Sequence, residues 1–215
     1  MSELVTRTTV GVILIAIALA SALLGGTVFA VLVALIATVM YIEWSRMLGK
    51  WGLAWQVYGF FYCLLPAVSL LWIRERAQYE GIGSGFDLLI WVFLLVWSTD
   101  IGAFFAGRAI GGPKLAPSIS PNKTVAGLVG GVASAAILAG LWADSVGLPP
   151  ILLGLAVPFA VAAQLGDLFE SGLKRRAGVK DSGTWLPGHG GLLDRLDGLV
   201  PVAVLTAGLM MTDAL

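Results

Sequence analysis

Charged side chains are scarce in this chain. They make up 12% of its 215 residues, against roughly 25% in ordinary soluble domains. Hydrophobic residues make up 58% of the chain, and mean hydropathy is +0.92. These values exclude an ordinary soluble domain and predict a membrane protein. The formal net charge is zero, so no overall basic field favours nucleic acid as a partner.

Cysteine and histidine are also nearly absent, with one of each. Cys63 lies in an apolar run and has no second cysteine in the chain to pair with, so we interpret it as a small packing residue. His189 lies in a glycine-rich segment, where a hydrogen-bonding role and a catalytic role both remain open. The first apolar run is not followed by a clear small-residue cleavage site and a polar mature chain. We therefore interpret it as a membrane helix rather than a signal peptide.

Long apolar runs recur along the chain. A helix needs about 20 residues to cross the hydrocarbon core, and the first two runs are individually short. We predict an all-α, polytopic membrane bundle with seven crossings, with six or eight as the alternatives. The whole of 1–215 is expected to be one membrane domain, with N-terminal helices to about residue 85 and a catalytic half beyond it. The runs lie at about 8–24, 27–42, 53–73, 88–107, 125–143, 150–166 and 198–213.

The distribution of Lys and Arg predicts how these helices are oriented. With the N-terminus in the cytoplasm and seven crossings, eleven basic residues lie inside, and only Arg74 and Arg76 lie outside. Both polar loops, 107–124 and 167–197, then lie on the cytoplasmic side of the inner membrane. The eleven inside residues are Arg7, Arg46, Lys50, Arg108, Lys114, Lys123, Lys174, Arg175, Arg176, Lys180 and Arg195.

One segment concentrates the charge of the C-terminal half. It runs from Asp167 to Asp197 and carries five acids and five bases, whereas the 22 residues from Ser145 to Gly166 carry no charge. An ionised side chain at the bilayer centre costs roughly 2.5–3.5 kcal/mol on insertion scales. This segment must therefore face water, a cavity or bound ions.

Three side chains at the start of this segment share a helix face if the sixth helix continues past Gly166. Asp167, Ser171 and Lys174 are spaced i, i+4, i+7. A carboxylate, a hydroxyl and an ammonium on one stripe suit a metal ion beside a phosphate. The alternative is a solvated helix end with i,i+4 charge pairs.

A second constellation combines glycines with two aspartates. Gly188, Gly190 and Gly191 expose backbone N–H groups that can cradle an anion. Asp194 and Asp197 are three residues apart, so they would face the same side of a helix that begins near residue 192. The alternative is that these aspartates only complement the charge of a helix N-terminus.

A third constellation lies around the loop 107–124. Asp100 precedes the loop within an apolar run, and an intramembrane acid is a functional candidate by default. The loop combines basic residues with hydroxyl groups and prolines, which suits phosphate binding. A positive-inside anchoring loop is the alternative, but it does not account for Asp100 or the prolines. The loop residues concerned are Arg108, Lys114, Ser118, Ser120, Pro121, Lys123 and Thr124.

Four short motifs follow one another in the charged segment. They are S-G-L-K-R from Ser171, K-D-S-G from Lys180, L-P-G-H-G-G from Leu186 and D-R-L-D from Asp194. This succession closely resembles the signature of the phosphatidate cytidylyltransferase (CDP-diacylglycerol synthase) family. Residues 164–170 and 114–124 also look like that family, so the resemblance extends over most of the C-terminal half.

The resemblance implies a reaction between two anions at a membrane. The phosphate of phosphatidic acid attacks the α-phosphorus of CTP, which releases pyrophosphate and leaves CDP-diacylglycerol in the bilayer. The expected partners are therefore CTP, phosphatidic acid and the lipid bilayer, together with a homodimer as a further expectation and no nucleic acid. Magnesium suits such a transfer, with a monovalent cation such as potassium as an open second ion.

The same resemblance assigns roles to residues of this chain. Asp167, Asp194 and Lys174 are the expected catalytic residues. Metal ligation is expected from Asp167 and Asp194, with Asp197 and Asp100 as weaker candidates. The expected substrate-binding residues are Arg175, Ser171, Lys180, His189, Arg195, Arg108, Ser120 and Lys123.

Two other functions compete with this interpretation. A CDP-alcohol phosphotransferase also uses clustered aspartates, but typically in a D-G-x-x-A-R pattern that the chain does not continue after Asp197-Gly198. A transporter or scaffold would line a permeation path with its charges, and it predicts inverted repeats or broken helices. Neither is visible in the sequence, and the charges gather on one side of the predicted bundle.

Overall fold

The computed structural model describes residues 3–76, 84–186 and 190–212. These parts of the chain form a helical bundle that carries one small β-hairpin. In chain order the elements are α1 (Glu3–Leu24), α2 (Gly26–Leu48), a 3-10 turn (Gly49–Trp51), α3 (Leu53–Glu75), α4 (Gly85–Ile110), β1 (Lys114–Ala116), β2 (Ser120–Thr124), α5 (Val125–Ser145), α6 (Ile151–Ala177), α7 (Leu193–Leu196) and α8 (Leu199–Met210).

Five helical segments of the described chain are long and apolar enough to cross a membrane. They are α2 with its 3-10 turn, α3, α4, α5 and α6. These helices confirm the prediction of a multi-pass helical membrane protein. The first and last predicted crossings fall in shorter apolar helices, Thr8–Leu24 and Leu199–Met210. The twelve residues of α8 extend only about 18 Å at 1.5 Å per residue, so the count of seven crossings stays a prediction.

Helix α4 lies at the centre of the bundle. It begins at a capping box in which the backbone N–H of Asp87 donates to Ser84 Oγ and the Asp87 carboxylate accepts from the Ser84 backbone. Glycines then bring α4 and α5 close together. A Cβ at Gly131 would lie 2.6 Å from the carbonyl oxygen of Thr99, and one at Gly102 would lie 2.7 Å from that of Gly130. Small residues at these positions therefore allow backbone packing of the kind that membrane helices favour.

The buried apolar side chains form two clusters. The larger one surrounds α4 and includes residues from α5, α6 and α8. The smaller one joins α2 to the end of α6 and to α7. In this second cluster Trp44 of α2 is fully buried, and its indole N–H donates to the carbonyl oxygen of Trp55 at 2.9 Å. The cluster therefore fixes α2 against the segments that carry most of the predicted site.

The all-α prediction missed the hairpin β1–β2. Its strands are antiparallel, with Lys114 opposite Thr124 and Ala116 opposite Ser120, and the register shifts between the two pairs. The loop shows no apolar alternation, which is the usual sequence signal for a strand. Thr124 also caps α5, since its hydroxyl accepts a backbone N–H of the first turn. The hairpin thus fixes Lys123 immediately before a membrane helix.

Helix α6 continues well past Gly166, as the spacing of its polar residues required. It ends at Gly178, which adopts a left-handed conformation with φ of 73°. A Cβ at Gly166 would lie 2.5 Å from the carbonyl oxygen of Asp197. Only glycine therefore allows α6 to approach the segment after α7 this closely, and this approach brings the two ends of the charged segment together.

Candidate active site

Lys123 of β2 and Asp167 of α6 form an ion pair, with 2.5 Å between Nζ and Oδ2. The Lys123 ammonium is close enough to Asp167 for an ion pair, but it is not aligned to donate a hydrogen bond to that carboxylate. One turn along α6, the hydroxyl of Ser171 donates to Asp167 Oδ1 at 3.2 Å. The two charged side chains are 18% and 29% exposed, so the pair is open to solvent on one side. The structure thus joins the loop 107–124 to the charged end of α6.

Lys174 forms a second pair one turn deeper in the site. Its Nζ donates to Asp194 Oδ1 at 2.6 Å and to Glu170 Oε2 at 3.2 Å. The three side chains are 11%, 5% and 0% exposed, respectively. A lysine that bridges two buried carboxylates joins α6 to α7, so both ends of the charged segment contribute to one site.

Asp194 also organises the glycine-rich loop. Its carboxylate accepts the backbone N–H groups of Ser182 at 2.9 Å and Gly191 at 2.8 Å, in addition to Lys174. Burial would raise the pKa of Asp194, but the hydrogen bond and charge of Lys174 and the two backbone N–H groups bring it below its ordinary value. Both oxygens therefore already face donors, and the metal-ligand role of Asp194 stays a prediction.

Besides Asp194, four carboxylates interact across this site, and we call them the acidic group: Asp100, Asp167, Glu170 and Asp197. The carboxyl groups of Glu170 and Asp197 face each other at hydrogen-bonding distance. Burial, followed by the charge of Asp167, raises the pKa of Asp197 to about 6. Asp100 is exposed in the middle of α4, where the charges of Asp167 and Asp197 act on it. Gln164 donates to its Oδ1 at 3.5 Å.

The acidic group fits a magnesium ion only in part. Within the described residues, no three acidic, histidine or cysteine side chains converge enough to enclose a metal by themselves. Magnesium is, however, commonly held by one or two carboxylates with substrate phosphates and water. Glu170 Oε1 is buried without a hydrogen-bond partner, although Asp197 faces the same carboxyl group. Two facing acceptors need a proton or a cation between them, so these residues fit a site that substrate phosphates complete.

The remaining predicted substrate-binding residues surround this centre. Arg175 donates from Nε to the carbonyl oxygen of Ile119 at 3.2 Å and so ties α6 to the hairpin. Ser120 lies in β2, three residues before Lys123. Arg108 is exposed at the end of α4, and its guanidinium lies over the ring of Phe104 at 6.0 Å. The structure thus places Ser120 and Arg175 at the hairpin, while Arg108 contacts a ring of its own helix.

The other two basic residues and the histidine have different outcomes. Lys180 is exposed in the turn after α6. Arg195 lies in α7 and forms part of the wall of an apolar cavity. His189 lies outside the described residues, so its expected role stays a prediction.

Three polar residues at this site were not predicted from the sequence as site residues. Glu170 appeared only as one acid of the charged segment, and Gln164 only as part of the family resemblance. Glu43 of α2 is fully buried and accepts hydrogen bonds from residues beside Asp194. A signal for it existed, since Glu43, like Asp100, is an acid in a mainly apolar helix.

Comparison with known proteins identifies the family. Residues 51–212 match the model described as "Cytidylyltransferase family". The phosphatidate cytidylyltransferase of Brucella suis biovar 1 (strain 1330) is 46% identical over 177 residues, which cover 81% of this chain and 62% of the relative. That of Staphylococcus aureus (strain COL) is 44% identical over 147 residues, covering 67% and 56%, respectively.

The chain spans less than two thirds of the length of these relatives. The matched residues include α4, the hairpin, α6 and the charged segment, and therefore both lysine–aspartate pairs. Because this match covers most of the chain, the protein belongs to the cytidylyltransferase family.

Proposed function

We propose that this protein transfers CMP from CTP to phosphatidic acid, with CDP-diacylglycerol and pyrophosphate as products. The observation that carries the proposal is the pair of contacts Lys123–Asp167 and Lys174–Asp194. They bring the hairpin, the end of α6 and α7 into one charged site on a bundle of membrane helices. Family membership and the names of the two relatives support the same chemistry.

In the proposed reaction, an oxygen of the lipid phosphate forms a bond to the α-phosphorus of CTP. The bond from that phosphorus to the bridging oxygen of the β-phosphate breaks, and pyrophosphate leaves with that oxygen. The nucleophile is already an oxyanion, so no side-chain nucleophile is needed. The protein must hold the two phosphates in line and offset their mutual repulsion.

The two buried or half-buried lysines suit this electrostatic task. Lys123 belongs to the more exposed of the two pairs; its ammonium is itself buried beside Asp167, and its charge would act on a phosphate bound next to this pair. Lys174 is held by Asp194 and Glu170 deeper in the site, so its position is set before substrate binds. Preorganised charge of this kind stabilises developing charge without further rearrangement.

Magnesium is proposed to be held by Asp167 and Asp194, with Asp197 and Asp100 as weaker candidates and Glu170 facing Asp197. When bound, the ion would neutralise phosphate charge and polarise the α-phosphate. The protein itself contributes several carboxylates, and a bound cation would relieve the repulsion between them. A second, monovalent cation such as potassium is part of the same proposal.

Lipid access is proposed through the bundle beside the site. An apolar cavity lies between α1, α2, α3, α4 and the start of α8, and Arg195 forms part of its wall. An acyl chain in this cavity would leave the lipid phosphate near a guanidinium. Representative lining residues are Ala18, Phe29, Met40, Cys63, Phe93 and Leu199.

The proposed setting is the inner membrane, with seven crossings, both polar loops in the cytoplasm and a homodimer as the assembly. This arrangement places the charged site where CTP is present. It also lets the lipid approach from within the bilayer. The uneven distribution of Lys and Arg between the two sides supports this orientation.

A direct assay tests the reaction. Purified protein in detergent, given phosphatidic acid, labelled CTP and magnesium, is expected to form labelled CDP-diacylglycerol and an equal amount of pyrophosphate. Withholding magnesium or phosphatidic acid should abolish both products. Label transfer from CDP-diacylglycerol to an alcohol, without CTP use, would instead identify a CDP-alcohol phosphotransferase. Solute uptake without CTP turnover would identify a transporter.

The orientation predicts which side of the membrane each loop faces. Single cysteines are placed at Ser118, Lys180 and Glu75 in a variant that lacks Cys63, and all three positions are exposed. A membrane-impermeant maleimide should label S118C and K180C in inside-out vesicles only, and E75C in right-side-out vesicles only. Labelling of positions 118 and 180 from opposite sides would contradict a shared cytoplasmic site.

A further inference from the structure

Glu43 is an acid of α2 whose side chain is 0% exposed. Its carboxylate accepts three hydrogen bonds from residues far away in the sequence. Ser182 Oγ donates to Oε2 at 3.1 Å, the backbone N–H of Leu192 donates to Oε1 at 3.0 Å, and that of Leu193 donates to Oε2 at 2.8 Å. Burying a charge is costly unless it is hydrogen-bonded. Segment 182–193, of which residues 182–186 and 190–193 are described, supplies the donors that this buried carboxylate needs.

The same segment is held from the other side by Asp194. Asp194 accepts hydrogen bonds from the backbone N–H groups of Ser182 and Gly191. Glu43 accepts them from the hydroxyl of Ser182 and from the backbone N–H groups of Leu192 and Leu193. Two carboxylates on different helices therefore fix one short stretch of chain. Because Asp194 also binds Lys174, the position of this stretch determines where Asp194 holds the lysine.

Two glycines leave room for the Glu43 carboxylate. A Cβ at Gly183 would collide with it, and a Cβ at Gly191 would lie 2.8 Å from Oε2 and collide with Ser182 Oγ. One turn along α2, the guanidinium of Arg46 lies 5.9 Å from the centroid of the Trp185 ring, in the same segment. Helix α2 and segment 182–193 therefore fit together at two points.

We propose that Glu43 is a positioning residue for CMP transfer. It holds segment 182–193 against α2, so that Asp194 keeps Lys174 at the acidic group. Its effect on turnover rests on the proposed function, whereas its effect on the segment rests on the contacts alone. Glu43 lies outside the residues that match the family model. The N-terminal helices, which were predicted to lie outside the catalytic half, thus supply an anchor of the site.

Glu43→Gln is the main test. The glutamine amide has one acceptor oxygen and one NH2 donor, so at least one of the three donors would face another donor. Hydrogen–deuterium exchange of segment 190–193 should become at least about tenfold faster, since its amides lose their acceptor. CMP transfer should fall by about 10- to 100-fold, as expected when a supporting hydrogen bond is lost.

Trp44→Phe is the matched control. It removes a hydrogen bond of the neighbouring residue on the same helix, to Trp55, and leaves the three hydrogen bonds between Glu43 and segment 182–193 in place. We expect thermal unfolding midpoints of the two variants to fall by similar amounts. Only E43Q should show faster exchange in segment 190–193 together with reduced turnover.

Two further variants keep the test decisive if E43Q does not fold. Gly183→Ala places a Cβ against the Glu43 carboxylate from the loop side and should give the same local exchange pattern. Glu43→Asp keeps two acceptor oxygens on a shorter stem, so its turnover should lie between that of E43Q and the native protein.

The proposal is overturned if E43Q, or G183A in its place, leaves exchange of segment 190–193 unchanged, or if W44F accelerates that exchange equally. Native turnover in E43Q, or turnover of E43D no higher than that of E43Q, would also overturn it. Failure of the native protein to form CDP-diacylglycerol would contradict the proposed function instead. In that case the exchange data would still test whether Glu43 anchors the segment.

Discussion

Replacing Asp167 by asparagine is expected to lower CDP-diacylglycerol formation by at least about 100-fold, comparable with the larger losses seen when support of a metal site is removed. The substitution keeps the side-chain shape but removes the charge that pairs with Lys123 and is proposed to bind magnesium. Because this pair is partly exposed, we expect it to contribute only about 1 kcal/mol or less to the free energy of unfolding. Turnover and thermal unfolding of the purified variant measure the two effects.

Asp87→Asn is the control for that result. It makes the same chemical change in the capping box of α4, thirteen residues and therefore about 20 Å along the helix from Asp100. Loss of this cap should cost about 1 kcal/mol of stability and leave turnover close to native. Near-native turnover in D167N would refute the role of this carboxylate. An equal loss of turnover in D87N would show that the assay reports stability rather than chemistry.

Replacing Lys174 by methionine is expected to be the most destabilising change in the charged site. It leaves Asp194 and Glu170, which are 5% and 0% exposed, without their shared cation. Removing one partner of a buried ion pair costs about 3–5 kcal/mol. CMP transfer should fall below detection, since the loop held by Asp194 loses its register with α6. Chemical unfolding and turnover in detergent test both effects.

Arg176→Met is the matched control for Lys174→Met, because Arg176 is an exposed base in the same last turn of α6. It should change stability by less than about 0.5 kcal/mol. The double variant K174M/D194N removes both charges of one pair. It should therefore be less destabilised than the sum of the two single variants. A K174M protein as stable as R176M would contradict the role assigned to this lysine.

Much of the fold could be predicted because hydrophobic length is a strong signal in membrane proteins. The five long helices coincide with five of the predicted apolar runs, since a segment in lipid must satisfy its backbone hydrogen bonds internally. The hairpin β1–β2 escaped prediction. Its short strands carry several polar residues and Pro121, and they are fixed by their connection to α4 and α5 rather than by an apolar pattern. Helix α8 gives a second example. The apolar run predicted that this segment is buried, but it did not predict how long the helix is.

The candidate site was predictable in its members but not in its pairings. The spacing of Asp167, Ser171 and Lys174 predicted one shared helix face, and the hydrogen bond between Ser171 and Asp167 confirms it for these two residues. The partner of Asp167 is Lys123, more than forty residues earlier in the chain. No local spacing rule connects such residues, because their distance depends on how α5 and α6 pack.

The order of glycines, acids and bases in one short segment indicated the family, and the long apolar runs predicted a helical membrane protein, because motif chemistry and apolar length are local properties of the chain. Only the tertiary structure decided that Asp194 faces Lys174 and backbone N–H groups, that Glu170 faces Asp197, and that Glu43 reaches across from α2. These contacts join residues far apart in sequence. Their formation depends on which helix faces meet when the bundle packs.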